Sequence, residues 1–256
     1  MKPIMAAHKV LNRFGIHEVG PVPVEPIAFG LDLIVDSKPI DGAEGRLVRR
    51  SEKGIAVVDS DIRSAGKRRF VVAHELGHFL LHRGPGGLDL CDEDALVDWH
   101  GNRPQEEEAN VFAAELLMPK DQFRDEAGWR EMGADTIDAL KGTFQVSFTS
   151  AAIRYVELDV TPSAVVFSQN GEIRWFRASD SFPYGWIPVG REVREITGAG
   201  RYFRDGEVSD EPEPTACEAW FEDEGTAVHG DCLEQCVAMP SYNAVLSLIW
   251  QPQHPS

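Results

Sequence analysis

The spacing of apolar residues divides the chain into a mixed N-terminal part, a helical middle and a strand-rich end. Apolar residues recur at helical spacing in "MAAHKVLNRFG", and "VEPIAFGL" predicts a second, short helix. The segments "LDLIVD", "GRLVRR" and "KGIAVVDS" predict three strands separated by charged, glycine-containing turns. A strong helix follows in "SAGKRRFVVAHELGHFLLHRG", with Ser64 as its N-cap and Gly84 at its end. A small sheet is therefore expected to precede a long apolar helix.

The second half of the chain changes from helical to alternating patterns. Residues 84–104 lack clear periodicity and predict a loop, and "PQEEEANVFAAELLMPK" predicts a helix that Pro104 opens and Pro119 stops. The segment "MGADTIDALKGTFQVSFTSAAIRYVELD" predicts a helix, a turn and a second helix. The segment "AVVFSQNGEIRWFRAS" then predicts a hairpin around Asn170-Gly171, and we expect a helix near "SYNAVLSLIW".

These elements predict an α+β protein with three parts. Residues 1–120 are expected to form a domain in which a small, mostly antiparallel sheet packs on two helices. Residues 121–160 form a helical, helix-turn-helix-like segment, and residues 161–256 form a β-rich or α/β C-terminal domain whose role the pattern does not reveal.

Composition and charge exclude several classes of function. The net charge of −17 argues against non-specific binding to phosphate backbones, and residues 161–256 carry 6 Lys/Arg against 15 Asp/Glu. No run of residues approaches the length of a membrane helix, and the apolar stretch at the N-terminus contains charges, unlike a secretory signal. We therefore expect a cytoplasmic protein with no membrane partner.

Four cysteines in 256 residues do not predict a disulfide framework. Cys91 stands apart, whereas Cys217, Cys232 and Cys236 lie near His229 in a spacing that matches no defensible zinc pattern. Reduced thiols are the expectation, with a second metal site as the less favoured alternative.

The long apolar helix carries the chemistry, because His74, Glu75 and His78 follow one another as H-E-x-x-H. Residues four apart lie on nearly the same face of a helix, so both imidazoles can point at one ion. Glu75 projects beside them, where a carboxylate can act on a metal-bound water. Two core histidines satisfied by hydrogen bonds are the alternative, but that alternative leaves Glu75 unexplained. The spacing therefore predicts a zinc site.

A catalytic zinc site needs a third protein ligand. His82 fails on geometry, because it lies roughly 12 Å from His74 along the helix axis. The helix "EEEANVFAAELLMP" is the best source, and small residues share a face with Glu106. The faces favour Glu106 only mildly over Glu107 and Glu108.

At this point the chain resembles the ImmA/IrrE family of metallo-endopeptidases. The resemblance rests on "RRFVVAHELGHFLLH", on "EEEANVFAAELLMP" and on an N-terminal helix followed by "GPVPVEPIAFGLDL". It implies a minimal zincin-like metallopeptidase domain over residues 1–120, in which zinc (Zn²⁺) is held by His74, His78 and Glu106 and Glu75 is the catalytic base. It also implies a cytoplasmic protein substrate, typically a helix-turn-helix transcriptional repressor that is cleaved in stress response or mobile-element regulation.

Two other classes of function compete with the peptidase. A DNA-binding or protein-binding regulator with a degenerate peptidase fold is motivated by the helix-turn-helix-like segment, although residues 121–160 hold 8 acidic against 4 basic residues. A scaffold that keeps zinc as structure alone would normally close the site with four Cys or His ligands. For the residue that stabilises the oxyanion, Tyr155 and His82 are the only suggestions.

Overall fold

The structure is a computed structural model that describes residues 2–82, 88–92, 104–184, 186–222 and 230–252, with the backbone alone for 88–92. The chain forms two compact units. The first comprises Met1–Glu126 with Lys141–Ser147, and the second comprises Ala127–Leu140 with Phe148–Ser256. The three-part division at 120 and 160 stays a prediction. Within the described residues, no helix combines the length and apolar character needed to cross a membrane.

The first unit is a four-stranded sheet packed on helices. Its elements are α1 (Pro3–Arg13), α2 (Val24–Gly30), β1 (Leu33–Lys38), β2 (Ala43–Arg50), β3 (Lys53–Asp59), α3 (Ala65–Leu81), β4 (Leu88–Asp92), α4 (Pro104–Leu117) and α5 (Lys120–Ala127). The strand order is β1-β3-β2-β4, in which only the β1–β3 pair is parallel. This confirms the predicted α+β class and the small, mostly antiparallel sheet.

Strand β4 corrects the expectation of an uninterrupted loop over residues 84–104. Its residues pair with β2, from Ala43↔Asp92 to Val48↔Leu88. The segment lacks a strand pattern of its own, and the free edge of β2 supplies the hydrogen bonds that make it a strand.

Helix α3 begins after a capping serine and continues through a long apolar run. The Ser64 side chain accepts a hydrogen bond from Lys67 N at 3.3 Å, which confirms the predicted N-cap. The helix ends at Leu81, earlier than the predicted end at Gly84. All ten residues from Phe70 to Phe79 are buried, so the helix lies inside the unit rather than on its surface.

Helices α3 and α4 approach closely because glycine and alanine lie where they meet. A Cβ at Gly77 would lie 3.2 Å from Ala109 Cα and 3.1 Å from the Phe112 ring. Ala109 and Ala113 are fully buried on α4. This agrees with the prediction that small residues let the two ligand-bearing helices come together.

The middle segment is helical, as predicted. Helices α6 (Ala134–Phe144) and α7 (Phe148–Glu157) are separated by a three-residue turn that contains Gln145 with φ of 51°. The apolar face of α7 is buried through Ala151, Ala152 and Tyr155, and α7 packs against the strands that follow it. The shape is helix-turn-helix-like, but this face of its second helix is not exposed.

The second unit holds a five-stranded antiparallel sheet in the order β6-β5-β9-β8-β7. Its elements are β5 (Ser163–Gln169), β6 (Glu172–Ala178), α8 (Gly198–Asp205), β7 (Glu213–Ala216), β8 (Asp231–Met239) and β9 (Ala244–Trp250). Positive φ angles of 54° at Asn170 and 82° at Gly171 make the tight turn of the predicted hairpin. The expected helix near "SYNAVLSLIW" is wrong, because β9 is the central strand between β5 and β8 and every one of its residues is buried.

The cysteines also differ from expectation. Cys217 and Cys232 form a disulfide, so the prediction of reduced thiols is wrong for this pair. Cys217 directly follows β7 and Cys232 lies on β8, so strand pairing brings together two cysteines 15 residues apart. Cys236 is a buried free thiol. The suggested alternative metal site loses two ligands to the disulfide, and His229 lies outside the described residues.

Candidate metal centre

Three side-chain atoms from α3 and α4 meet at one buried point. His74 Nε2 lies 3.0 Å from His78 Nε2 and 3.1 Å from Glu106 Oε2, and the third side, from His78 Nε2 to Glu106 Oε2, is 3.3 Å. All three residues are buried. Across the described part of the chain, this is the only group of three or more His, Cys, Asp or Glu residues whose ligand atoms could hold a metal ion. The structure therefore brings together the two motif histidines and the favoured third ligand.

The hydrogen bonds on the outer side of each imidazole orient the inner nitrogen. His74 Nδ1 lies 2.8 Å from Asn110 Oδ1, a carbonyl oxygen that can only accept, so Nδ1 carries the proton. His74 Nε2 then presents its lone pair to the Glu106 carboxylate, which also offers only lone pairs. A cation between two such acceptors would satisfy both lone pairs.

The pKa shifts of His74 and Glu106 favour the forms in which these side chains bind metals. Burial lowers the pKa of His74, even though its hydrogen bond to Glu106 acts in the opposite direction. Burial alone would raise the pKa of Glu106, but hydrogen bonds and charge from the two histidines outweigh it and lower that pKa. A lowered pKa favours the neutral imidazole of His74 and the ionised carboxylate of Glu106, which are the forms that bind metals.

The donor set and its dimensions fit zinc. Two imidazoles and one carboxylate are a known ligand set of catalytic zinc sites, which keep a fourth position for water or substrate. Ligand atoms at about 2.0–2.1 Å from a tetrahedral zinc ion lie roughly 3.3–3.4 Å apart. The observed triangle, with sides of 3.0 to 3.3 Å, is close to that size.

Glu75 lies on the same helix, directly after the first ligand, and its side chain is fully buried. Its carboxylate lies against β2 at Gly45, where an added Cβ would collide with Glu75 Oε1. The same Cβ would lie 2.8 Å from Val71 Cγ1, one turn earlier on α3. Gly45 therefore leaves the space that the Glu75 carboxylate occupies.

The other acidic and histidine candidates lie outside the triangle. Glu107 and Glu108 are exposed, and Glu108 Oε2 contacts His82 Nε2 at 2.9 Å. His82 is the C-cap of α3, which agrees with its exclusion as a ligand. The Tyr155 hydroxyl donates to Arg130 O at 2.5 Å, so its proton is already used and the structure does not support Tyr155 as the oxyanion stabiliser.

Two contributors to the site were not assigned a role from the sequence. Asn110 lies four residues after Glu106 on the same helix face, so its position was visible but its hydrogen bond to His74 was not. Gly45 lies inside a strand, where glycine often marks a close approach. That signal could have identified it.

Comparison with known proteins agrees with this geometry. A peptidase family model, M78, described as the IrrE N-terminal-like domain, matches residues 31–155, which include both motif helices. Residues 31–155 are therefore a domain of the ImmA/IrrE peptidase family, and the resemblance seen in the sequence is confirmed.

The fold is also similar to a solved structure, a Mycobacterium tuberculosis transcriptional regulator. The match has a TM-score of 0.56 at 15% identity and covers 97% of this chain and 76% of that chain. At this identity the similarity concerns the fold. No curated protein matches the chain.

Proposed function

We propose that the protein is a zinc-dependent endopeptidase that hydrolyses a peptide bond in a cytoplasmic protein. The observation that carries the proposal is the three-ligand site of His74, His78 and Glu106 with Glu75 next to it in the chain. Three protein ligands leave a position open for substrate, whereas a structural zinc site is usually closed by four. This feature favours the peptidase over the scaffold.

In the proposed reaction the protein side chains have separate tasks. His74, His78 and Glu106 hold the ion, and Asn110 fixes the ring of His74 through its Nδ1–H. Zinc, when bound, supplies Lewis acidity that lowers the pKa of water and polarises the scissile carbonyl. Glu75 takes the proton from the attacking water and passes it to the nitrogen of the leaving amine.

The substrate class rests on the family resemblance. We propose a helix-turn-helix transcriptional repressor as the substrate, cleaved in stress response or mobile-element regulation. The negative net charge of −17 is compatible with a substrate that carries a basic DNA-binding surface.

The Glu75→Gln variant tests the reaction. The substitution keeps the shape of the side chain but removes its ability to accept a proton at neutral pH. We expect one zinc per chain in both proteins, with cleavage of a proteome-derived peptide library by the wild type alone, read by mass spectrometry. Glu107→Gln, an exposed neighbour of the ligand, is the control and should cleave like the wild type. Full cleavage by Glu75→Gln would contradict the assignment.

A transcriptional regulator is the second candidate, favoured by the helix-turn-helix-like shape of α6 and α7 and by the regulator with a similar fold. Against it, α7 buries Ala151, Ala152 and Tyr155, and the segment carries more acidic than basic residues. We expect no salt-dependent mobility shift with promoter DNA. Such a shift would revive the regulator.

A further inference from the structure

The last turn of α3 carries a third histidine that contacts a ligand without reaching the metal site. His82 Nδ1 lies 3.0 Å from His78 Nδ1, on the side of the His78 ring opposite to the nitrogen that joins the ligand triangle. His82 Nε2 lies 2.9 Å from Glu108 Oε2, on α4. The His82 side chain is 9% exposed and that of Glu108 is 48% exposed.

The proton on each ring follows from the ends of this chain of contacts. A ligand role for His78 Nε2 requires its lone pair, which places the proton on Nδ1, from which it is donated to His82 Nδ1. His82 must then carry its own proton on Nε2, and the Glu108 carboxylate accepts it. His78 therefore donates to His82, and His82 donates to the Glu108 carboxylate.

We propose that His82 and Glu108 are positioning residues that fix the orientation and tautomer of His78 for metal binding. The inference rests on the metal site of the proposed function. A ligating histidine whose outer N–H is held by an acceptor binds more tightly, because its lone pair already points at the ion and its basicity is raised. Asn110 supports His74 in the same way, so each histidine of the triangle has its own outer acceptor.

Arg49 stabilises the C-terminal end of α3, so the His82 side chain is not needed to terminate this helix. Arg49 Nη2 donates to the carbonyl of His78 at 3.3 Å and also to the carbonyl of Phe79, and its guanidinium lies 4.5 Å from the Phe79 ring centroid. These contacts hold the C-terminal end of α3 independently of the His82 side chain. Replacing that side chain is therefore expected to change metal binding more than folding.

The experiment measures zinc affinity by competition with a chromophoric chelator, together with the unfolding midpoint of the metal-free protein. His82→Ala should weaken zinc binding about 10- to 100-fold, the range typical of lost outer partners of a ligand. Glu108→Ala should also weaken it, and Glu108→Gln, which keeps an acceptor oxygen, should recover most of the loss. Glu107→Ala removes the same charge from an exposed adjacent position and should stay within about twofold, because exposed charges are screened.

A second readout uses Co²⁺ in place of zinc. The visible absorption of bound Co²⁺ reports ligand geometry, and it should change in His82→Ala and Glu108→Ala but not in Glu107→Ala. The midpoint of the metal-free variants should match that of the wild type.

Each other outcome has a definite meaning. Unchanged zinc affinity in the His82 and Glu108 variants would overturn the inference and leave the metal site standing. An equal loss of zinc affinity in Glu107→Ala would mean that the effect comes from net charge alone. A fall in the stability of the metal-free variants that accounts for the loss of affinity would mean that the His82–Glu108 contact only links α3 to α4. Both would overturn the inference. A wild-type protein that binds no zinc would overturn the proposed metal site as well.

Discussion

Replacement of Gly45 by alanine should disturb the catalytic carboxylate while leaving the metal ligands in place. The new methyl group would collide with Glu75 Oε1 and would lie 2.8 Å from Val71 Cγ1 and 3.2 Å from Glu75 Cδ. Ordinary contacts of this kind are 3.4 Å or longer, so Glu75 Oε1 must move by about 1 Å and Val71 Cγ1 by about half an ångström. Because Glu75 and Val71 lie one turn apart on α3, the movement acts on the face that carries the base.

The magnitude follows from the demands of catalytic geometry. A displacement of about 1 Å can cost about 100-fold in rate, so Gly45→Ala should lower kcat by about that factor. Overpacking should also lower the free energy of unfolding by about 1–3 kcal/mol. The zinc content should stay at one per chain, because the three atoms nearest to the methyl group belong to Glu75 and Val71 rather than to a zinc ligand.

The assay compares kcat, zinc content and unfolding free energy in Gly45→Ala and Gly54→Ala. The second variant is a matched control on a neighbouring strand, because a Cβ at Gly54 would lie 2.9 Å from Leu33 Cδ1 and from the Phe79 ring, and its three nearest atoms belong to these two residues rather than to Glu75. It should lose similar stability and keep kcat. A Gly45→Ala protein with wild-type kcat, or an equal loss of kcat in Gly54→Ala, would show that Gly45 does not make room for the Glu75 carboxylate.

Three further predictions concern the second unit. Replacing Cys217 and Cys232 together by serine should lower the free energy of unfolding by about 3 kcal/mol, because the disulfide closes a loop of 15 residues. Denaturant titration measures this, and an unchanged unfolding midpoint would contradict it. Burial, with the neighbouring Glu234 carboxylate, raises the pKa of the Cys236 thiol, so iodoacetamide at pH 8 should label it only after unfolding; rapid labelling of the folded protein would contradict this. Tyr155→Phe removes hydrogen bonds to Arg130 O and Thr161 Oγ1 and should lower the free energy of unfolding by about 1–3 kcal/mol without changing the zinc content. A loss of zinc in this variant would contradict the prediction and connect Tyr155 to the metal site.

Local signals in the sequence predicted helix α3, which carries two of the ligands, and the hairpin turn of the second unit. Ser64 and the apolar run after it define α3, and the Asn170-Gly171 pair defines the hairpin turn, because caps and tight turns depend on neighbouring residues alone. The ligand spacing of His74 and His78 is equally local.

Contacts between distant segments could not be predicted in this way. Helix faces left Glu106, Glu107 and Glu108 nearly equivalent, and only the packing of α4 on α3 brings Glu106 to the histidines. The sequence of β9 does not reveal a strand, because a continuous apolar run that is buried on both faces has no alternation of apolar and polar residues. The Cys217–Cys232 bond depends on the pairing of β7 and β8, which cysteine spacing does not encode.

The most direct test of the central claim is the zinc content of the purified wild type, Glu106→Gln and Glu107→Gln, measured by elemental analysis after reconstitution. We expect one zinc per chain in the wild type and in Glu107→Gln, and much less in Glu106→Gln, because Glu106 is the carboxylate that reaches the histidine pair among the described residues. Zinc retained in full by Glu106→Gln, or absent from the wild type, would contradict the two-helix metal centre and the peptidase built on it.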